Sequence, residues 1–267
     1  MKRPVALITG ASSGIGRELA VVFAEQGYDL VIAARREQQL RGLASEIEAH
    51  NGANCEVHVV AVDLAKAKGP GKLQAAIRDL GVDIEVLVNN AGVAESGPFH
   101  EQKTANTLTM VNLNVRALTE LTLTFARQMT KRGSGRILNV ASIVAFQPVP
   151  SMAVYSASKA YVLSLTESVS EELKGTGVTI SALCPGLTRT EMVADVAVAD
   201  NMPQLLMSDP REVAEQGFRA CMRGEVIEIP GILNQAFVGW TQTQPRWAYR
   251  MLSGLAARTS FNWGDRS

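Results

Sequence analysis

The chain has 267 residues, 46% hydrophobic and 19% charged, the composition of an ordinary folded protein rather than a disordered, collagen-like or coiled-coil one. Its 26 Lys and Arg balance 26 Asp and Glu, so no net field draws it to nucleic acid or to an anionic membrane, and a charged partner would have to meet a local patch. Three widely spaced cysteines, Cys55, Cys184 and Cys221, contain no C-x-x-C pair; they suggest neither a disulfide framework nor a zinc site, and they fit a reducing cytoplasm.

In chain order, the apolar run 4–9 imitates a signal peptide but stops at a glycine-rich turn, so it reads as a strand over 5–8. Further short Val- and Ile-rich runs predict strands at 30–33, 57–62, 86–88, 137–140, 178–183 and 226–229. Amphipathic stretches between them predict helices at 15–26, 37–49, 71–80, 104–131, 154–174 and 210–223. Strict alternation makes the sheet parallel, because each crossover must return over it, and parallel sheets are covered on both faces. The fold class is therefore α/β, a Rossmann-type doubly wound sheet of about seven strands. No linker divides 1–230, which reads as one domain, with 231–267 as a separate helical tail. The longest uncharged stretch, 137–158, contains Asn139, Gln147, Pro148 and Pro150, which a membrane span would leave unsatisfied or kinked.

The first strand runs into Thr9-Gly10-Ala11-Ser12-Ser13-Gly14-Ile15-Gly16. A glycine-rich turn opening a helix lets backbone N–H groups and the helix dipole hold a pyrophosphate. Where an acidic residue would accept from a ribose 2'-hydroxyl, about 20 residues past the glycines and at the end of the second strand, this chain has Ala34, followed by Arg35 and Arg36. Two guanidinium groups suit a 2'-phosphate by charge and by fork geometry, which favours NADP(H). Glu37 argues the other way, but one residue of helix carries it past the site.

Tyr155 and Lys159 are four apart on a predicted helix and share a face. An ammonium beside a phenol lowers its affinity for the proton, so Lys159 is expected to make Tyr155 a usable acid at neutral pH. Ser142, at the end of the fifth strand, would hydrogen-bond a substrate oxygen as negative charge grows on it. His50, His58 and His100 show no i, i+4 pairing or acidic cluster, so no metal is expected.

Together these motifs resemble those of the short-chain dehydrogenases and reductases. The family's first motif is T-G-x-x-x-G-x-G, its second is N-N-A-G, here Asn89-Asn90-Ala91-Gly92, and a Ser precedes Y-x-x-x-K, here Ser142 before Tyr155-Ser156-Ala157-Ser158-Lys159. The resemblance covers residues 4–190 by motif and extends to about 230 by pattern. It implies a cofactor held by Gly10, Ser12, Ser13, Gly14, Ile15 and Gly16, by Asn90, Ala91 and Gly92, and by Lys159 at the nicotinamide ribose beside Tyr155. It implies that Pro185, Gly186, Thr188 and Thr190 form the loop that holds the carboxamide. Asp63, with Leu64, matches the residue that meets the adenine, although a helix cap explains it equally well. An Asn of the fourth helix should hold a proton-relaying water. Asn114 is favoured, lying 28 residues before Ser142 with the small Ala117 three on, and Asn112 is the alternative.

The implied activity is interconversion of a carbonyl and an alcohol by hydride transfer to or from NADP(H). The rival reading is a catalytically silent NADP-binding regulator on the same fold. Ile143, Val144, Phe146, Pro148, Val149 and Met152, with an apolar lid over 190–209 that carries no Lys or Arg, suggest an apolar substrate. A homodimer through the fourth and fifth helices is the expected assembly. The tail holds Trp240, Trp247 and Trp263 and four arginines against Asp265 alone. It is read as packing over the cleft or a second subunit, with a peripheral membrane anchor as the other reading.

Overall fold

The computed structural model describes residues 3–51, 55–191 and 207–260. Seven parallel strands stand in the order β3-β2-β1-β4-β5-β6-β7. They are β1 Val5–Thr9, β2 Asp29–Ala34, β3 Val57–Ala61, β4 Ile84–Asn89, β5 Gly135–Val140, β6 Val178–Leu183 and β7 Ile227–Glu228. The helices are α1 Gly14–Glu25, α2 Glu37–Asn51, α3 Gly69–Leu80, α4 Thr104–Val111, α5 Leu118–Arg132, α6 Ala153–Glu172, α7 Pro210–Arg223, α8 Ile232–Thr243 and α9 Arg246–Ser260.

Side-chain alternation along each strand divides the core into two layers. Ala6 and Ile8 of β1, with Leu30 and Ile32 of β2, meet Leu19 and Phe23 of α1 and Val213 of α7. Val5 and Leu7, with Val31 and Ala33, face Leu73 and Ile77 of α3 and Leu121 and Phe125 of α5. All five residues of β1 are buried, which is why the central strands read as continuous apolar runs without polar alternation. Phe23 packs edge-on against Tyr28 and Phe218, with ring centroids 5.2 and 4.9 Å apart, an arrangement worth more than its area alone.

The helix expected over 104–131 is three segments. Between α4 and α5 the backbone forms a π-helical turn, Asn112–Ala117, the kind of widened turn that often marks a functional site. The strand order reverses between β1 and β4, and the crevice at their carboxyl ends is where such sheets bind ligands. Of the expected lid, residues 192–206 lie outside the described residues; its edges meet where Thr188 bridges Ser208. The tail is helical to Ser260, and α8 packs its Val238 and Thr241 face against the body.

Candidate active site

Thr9, the last residue of β1, donates its hydroxyl to the Val88 carbonyl and accepts the N–H groups of Asn90 and Ala91 at 3.0 and 3.1 Å. The Asn90 amide donates back to the carbonyls of Thr9 and Gly10. These bonds clamp the glycine-rich turn to the loop after β4. The clamp explains the glycines: a Cβ on Gly16 would lie 2.2 Å from Asn90 Nδ2 and 2.4 Å from the Gly10 carbonyl oxygen. Gly10 adopts φ +69 with the Ala91 backbone 2.8 Å from where its Cβ would be, a conformation and an approach that suit glycine. Ser13 precedes α1 without a side-chain cap, so the first-turn N–H groups face the cavity with no capping oxygen from Ser13.

The two asparagines of Asn89-Asn90 divide their work. Asn89 is buried and donates to Thr122 and Asn139, and Asn139 donates to Thr166, so it ties β4 and β5 to the helices behind them. Asn90 serves the glycine turn.

Arg36 reaches over that turn. Its guanidinium donates to Ser12 Oγ at 3.1 Å, to Ser13 Oγ at 2.6 Å and to Glu191 Oε2 at 2.8 Å. Arg35 is exposed at the cavity rim. Glu37 instead accepts two bonds from Arg41, one helical turn on. Asp63 and Leu64 line the cavity, and Asp63 Oδ1 accepts the Ala65 N–H at 3.0 Å, so its carboxylate both caps a turn and faces the site.

Ser142 lies two residues past β5 and caps a single 3-10 turn, Ile143–Phe146, accepting the Val144 N–H at 3.3 Å. Its hydroxyl donates to the Pro185 carbonyl at 3.4 Å and is hydrogen-bonded to Tyr155. Tyr155 and Lys159 project from one face of α6, with Lys159 Nζ 5.7 Å from the centre of the Tyr155 ring. Lys159 is buried and donates to the Val140 carbonyl at 2.8 Å.

The expected lowering of the Tyr155 phenol by Lys159 is not what the site shows. Burial pushes Tyr155 up to about 12, against the bond from Ser142, and pushes Lys159 down to about 8. Desolvation disfavours both charged forms and is the largest influence on each group. At neutral pH the site therefore holds a neutral phenol beside a lysine that is still largely charged.

Asn114, in the π-helical turn, is buried against the loop after β4. It accepts the Val93 N–H at 3.0 Å and donates to the Val93 carbonyl at 2.9 Å and to Ser158. Asn112 turns outward to accept from Arg116. Gly92 separates Asn114 from Lys159: a Cβ there would stand 3.3 Å from Asn114 Oδ1 and 3.6 Å from Lys159 Nζ. The geometry thus brings Asn114, and not Asn112, beside the lysine.

These elements enclose one open cavity of about 420 Å³ running from Arg35 and Arg36 past Gly10 and Asn90 to Ser142 and Tyr155. Pro185, Gly186, Thr188 and Thr190 close its far wall, and Thr188 donates to the Gly186 carbonyl. None of the six apolar residues expected to form a substrate pocket, Ile143, Val144, Phe146, Pro148, Val149 and Met152, lines this cavity; Phe146 is partly buried and packs against the core cluster that holds Leu118, Ala145 and Val162. The apolar lining at the Tyr155 end comes instead from Val93 and Ala94. Sequence reasoning missed these, together with Thr9 and Glu191. Thr9 was recoverable as the head of the glycine motif, whereas Glu191 carries no local signal.

The residues present fit a dinucleotide. The turn presents backbone where Cβ atoms would intrude, guanidinium groups stand at one end, and a hydroxyl pair with an ammonium stands at the other. Comparison with known proteins agrees. The family profile described as short chain dehydrogenase matches residues 4–201. A ketoacyl reductase, HetN, of Nostoc sp. is 32% identical over 259 residues, covering 96% of this chain and 88% of that protein. A short-chain dehydrogenase from Sphingobium yanoikuyae, solved in complex with NADPH, superposes with a TM-score of 0.79 at 32% identity, covering 91% of this chain and 97% of that one. A relative from Burkholderia phymatum, solved in complex with NAD, gives 0.76 at 28% identity, covering 89% and 92%.

Proposed function

The chain belongs to the short-chain dehydrogenase family and is an oxidoreductase acting between a carbonyl and an alcohol; from that premise we propose that it uses NADP(H), with Tyr155, Ser142, Lys159 and Asn114 as its catalytic machinery. The observation that carries the reading is the Ser142–Tyr155 hydroxyl pair set above the buried Lys159 at one end of the cavity. Solved relatives hold NADPH in one case and NAD in another, so membership does not choose the cofactor. Arg36, fixed over Ser12 and Ser13, and Arg35 beside it favour the 2'-phosphate, while Glu37 is engaged by Arg41.

Bound NADP(H) would supply or accept the hydride. In the reducing direction the neutral Tyr155 phenol gives its proton to the carbonyl oxygen as charge develops there, and Ser142 donates a hydrogen bond to the same oxygen. Lys159 steadies the phenolate left behind. Asn114 holds the Val93 loop against Lys159 and keeps the proton path open there. Gly10, Ser12, Ser13, Gly14, Ile15 and Gly16 would cradle the pyrophosphate, with Asn90, Ala91 and Gly92 and the 185–190 loop along the rest of the cofactor. Asp63 and Leu64 would meet the adenine. Val93 and Ala94 at the reacting end support an apolar carbonyl substrate.

We read residues 1–230 as one catalytic domain carrying the 231–267 tail. Exposed Leu108, Leu123 and Tyr161 on α4, α5 and α6 support a homodimer through those helices. Three buried free thiols support a cytoplasmic place. Among the described residues no helix is long and apolar enough to cross a membrane.

The test is an NADPH-consumption screen over diverse carbonyls, repeated with Tyr155→Phe. Turnover by the wild type and its loss in the variant, with NADPH affinity retained, is the expected outcome, because only the transferable proton is removed. A wild type that oxidises NADPH with no carbonyl would favour the silent regulator.

A further inference from the structure

The tail presents an apolar surface that the catalytic reading does not use. Ile232 and Leu233 of α8 are 82% and 71% exposed, and Trp240, two turns on from Leu233, is exposed as well; Trp247, Met251 and Leu252 are exposed on α9. Phe237 and Trp240 lie with ring centroids 6.4 Å apart. Monomeric soluble proteins rarely expose contiguous apolar patches of this kind without an interaction to explain them.

The surface is held in place from behind. Val238 and Thr241 are buried, and Thr241 donates to Gln147, which is also hydrogen-bonded to Tyr249 of α9. Asn234 packs at Gly186 and donates to the Pro230 carbonyl. Both helices are thus fastened to the loop between Ser142 and Tyr155, and their apolar side chains point outward from a fixed base.

Charge distinguishes among occupants. From Ile229 to Ser260 the sequence contains no Asp or Glu, and its only charges are Arg246, Arg250 and Arg258. Arg246 and Arg250 are exposed, and neither makes an ion pair among the described residues. A second copy docking on this face about a two-fold axis would bring a second set of the same arginines into the interface, and the segment from Ile229 to Ser260 offers no acid to answer them. An anionic surface would answer them directly.

We propose that α8 and α9 form a docking face for an anionic lipid surface, with the aromatic and aliphatic side chains entering the headgroup boundary and Arg246 and Arg250 meeting lipid phosphates and carboxylates. Indole rings and arginines beside an apolar stripe are the composition of helices that lie in that boundary. The face lies beside the loop that carries Ser142 toward Tyr155, so a bound molecule holds its catalytic cavity next to the lipid. This inference does not depend on the cofactor or on the reaction.

The test uses the full chain and vesicles of phosphatidylcholine, alone or mixed with phosphatidylserine. All three tryptophans of the protein lie in the tail, so their emission reports the docking directly. We expect co-sedimentation and a blue shift with the anionic vesicles at low salt, falling about tenfold or more at high salt. Arg246→Gln with Arg250→Gln should weaken binding to anionic vesicles about 25-fold, at about fivefold per arginine. Trp240→Ser with Trp247→Ser should abolish it while reduction of a water-soluble carbonyl is unchanged. The proposal is overturned if the wild type ignores anionic vesicles at low salt, or binds both vesicle types equally and without salt dependence. It is also overturned if the tryptophan substitutions convert a dimer to a monomer while no vesicle binding is seen. Should a variant lose its thermal transition, the wild-type salt titration still decides.

Discussion

Lys159 donates to the Val140 carbonyl oxygen at 2.8 Å while standing 5.7 Å from the centre of the Tyr155 ring. The lysine is thus fixed by the sheet rather than by the tyrosine, and its charge is held in a place that water reaches poorly.

The pH dependence of reduction follows from that burial. Carbonyl reduction needs Tyr155 neutral, which it remains to about pH 12, and Lys159 charged, which it is below about pH 8. We expect kcat/KM for reduction to be level below pH 8 and to fall about tenfold per pH unit above it, following loss of the lysine charge. A profile that stays level through pH 9.5 would show that the ammonium is not needed for proton donation.

The same burial predicts a stability cost. The folded state lowers Lys159 from 10.5 to about 8, so it disfavours the proton that the unfolded chain holds. The penalty is complete below pH 8, shrinks as pH rises from 8 to 10.5, and is gone above that. At about 1.4 kcal/mol per tenfold this is about 3 kcal/mol, and losing the bond to Val140 returns about 1 kcal/mol of it. Urea unfolding of Lys159→Met at pH 7 should therefore show about 2 kcal/mol of added stability, alongside lost activity. The advantage should narrow by pH 10; one that is equal at both pH values would place its origin in packing instead of charge.

The alternation of strands and helices was legible because a parallel sheet buried on both faces favours short, Val- and Ile-rich apolar runs, as in Val5 to Ile8 and Val86 to Val88. The glycine turn was legible because Gly10 and Gly16 leave no room for a Cβ. What was not legible depends on contacts between distant segments. Nothing local to Asn112–Ala117 announces a π-helical turn; the spacing to Ser142 favoured Asn114 over Asn112, but the bonds from Asn114 to Val93 and Ser158 appear only in the folded chain. The balance between desolvation and charge at Tyr155 depends on how deep α6 sits, which no spacing encodes. Phe146 is apolar whether it lines a pocket or packs against the core, and only the folded chain shows it outside the cavity lining.

Two glycine substitutions should separate steric need from helix propensity. Gly16→Ala would place a methyl 2.2 Å from Asn90 Nδ2 and 2.4 Å from a backbone oxygen that cannot rotate away. It should cost about 1–3 kcal/mol and weaken dinucleotide binding by opening the clamp between the two loops. Gly42, exposed inside α2 with nothing within 4 Å of a Cβ, is the control. Gly42→Ala should raise stability by up to about 1 kcal/mol. Thermal melts with and without NADPH check both, and a Gly16→Ala protein with wild-type stability and affinity would refute the clamp.

Arg36 is engaged by groups of the chain itself. Its guanidinium is shared among Ser12, Ser13 and Glu191, and the Glu191 carboxyl is held below its usual range chiefly by the hydrogen bond from Arg36. A 2'-phosphate seated on Arg36 would have to displace that carboxylate, so Glu191 competes with NADP(H) and not with NAD(H), which carries no phosphate there. The pair is exposed on both sides, and exposed pairs contribute at most about 1 kcal/mol, or roughly fivefold. Glu191→Gln should therefore tighten NADPH by about two- to fivefold and leave NADH unchanged. Arg36→Ala should weaken NADPH at least tenfold and NADH little. Calorimetric titration of both cofactors against the three proteins separates the ideas: a wild type that binds NADPH and NADH equally removes the charge argument. If Glu191→Gln shifts both cofactors alike, the carboxylate acts on the shared part of the molecule and the competition at Arg36 is wrong.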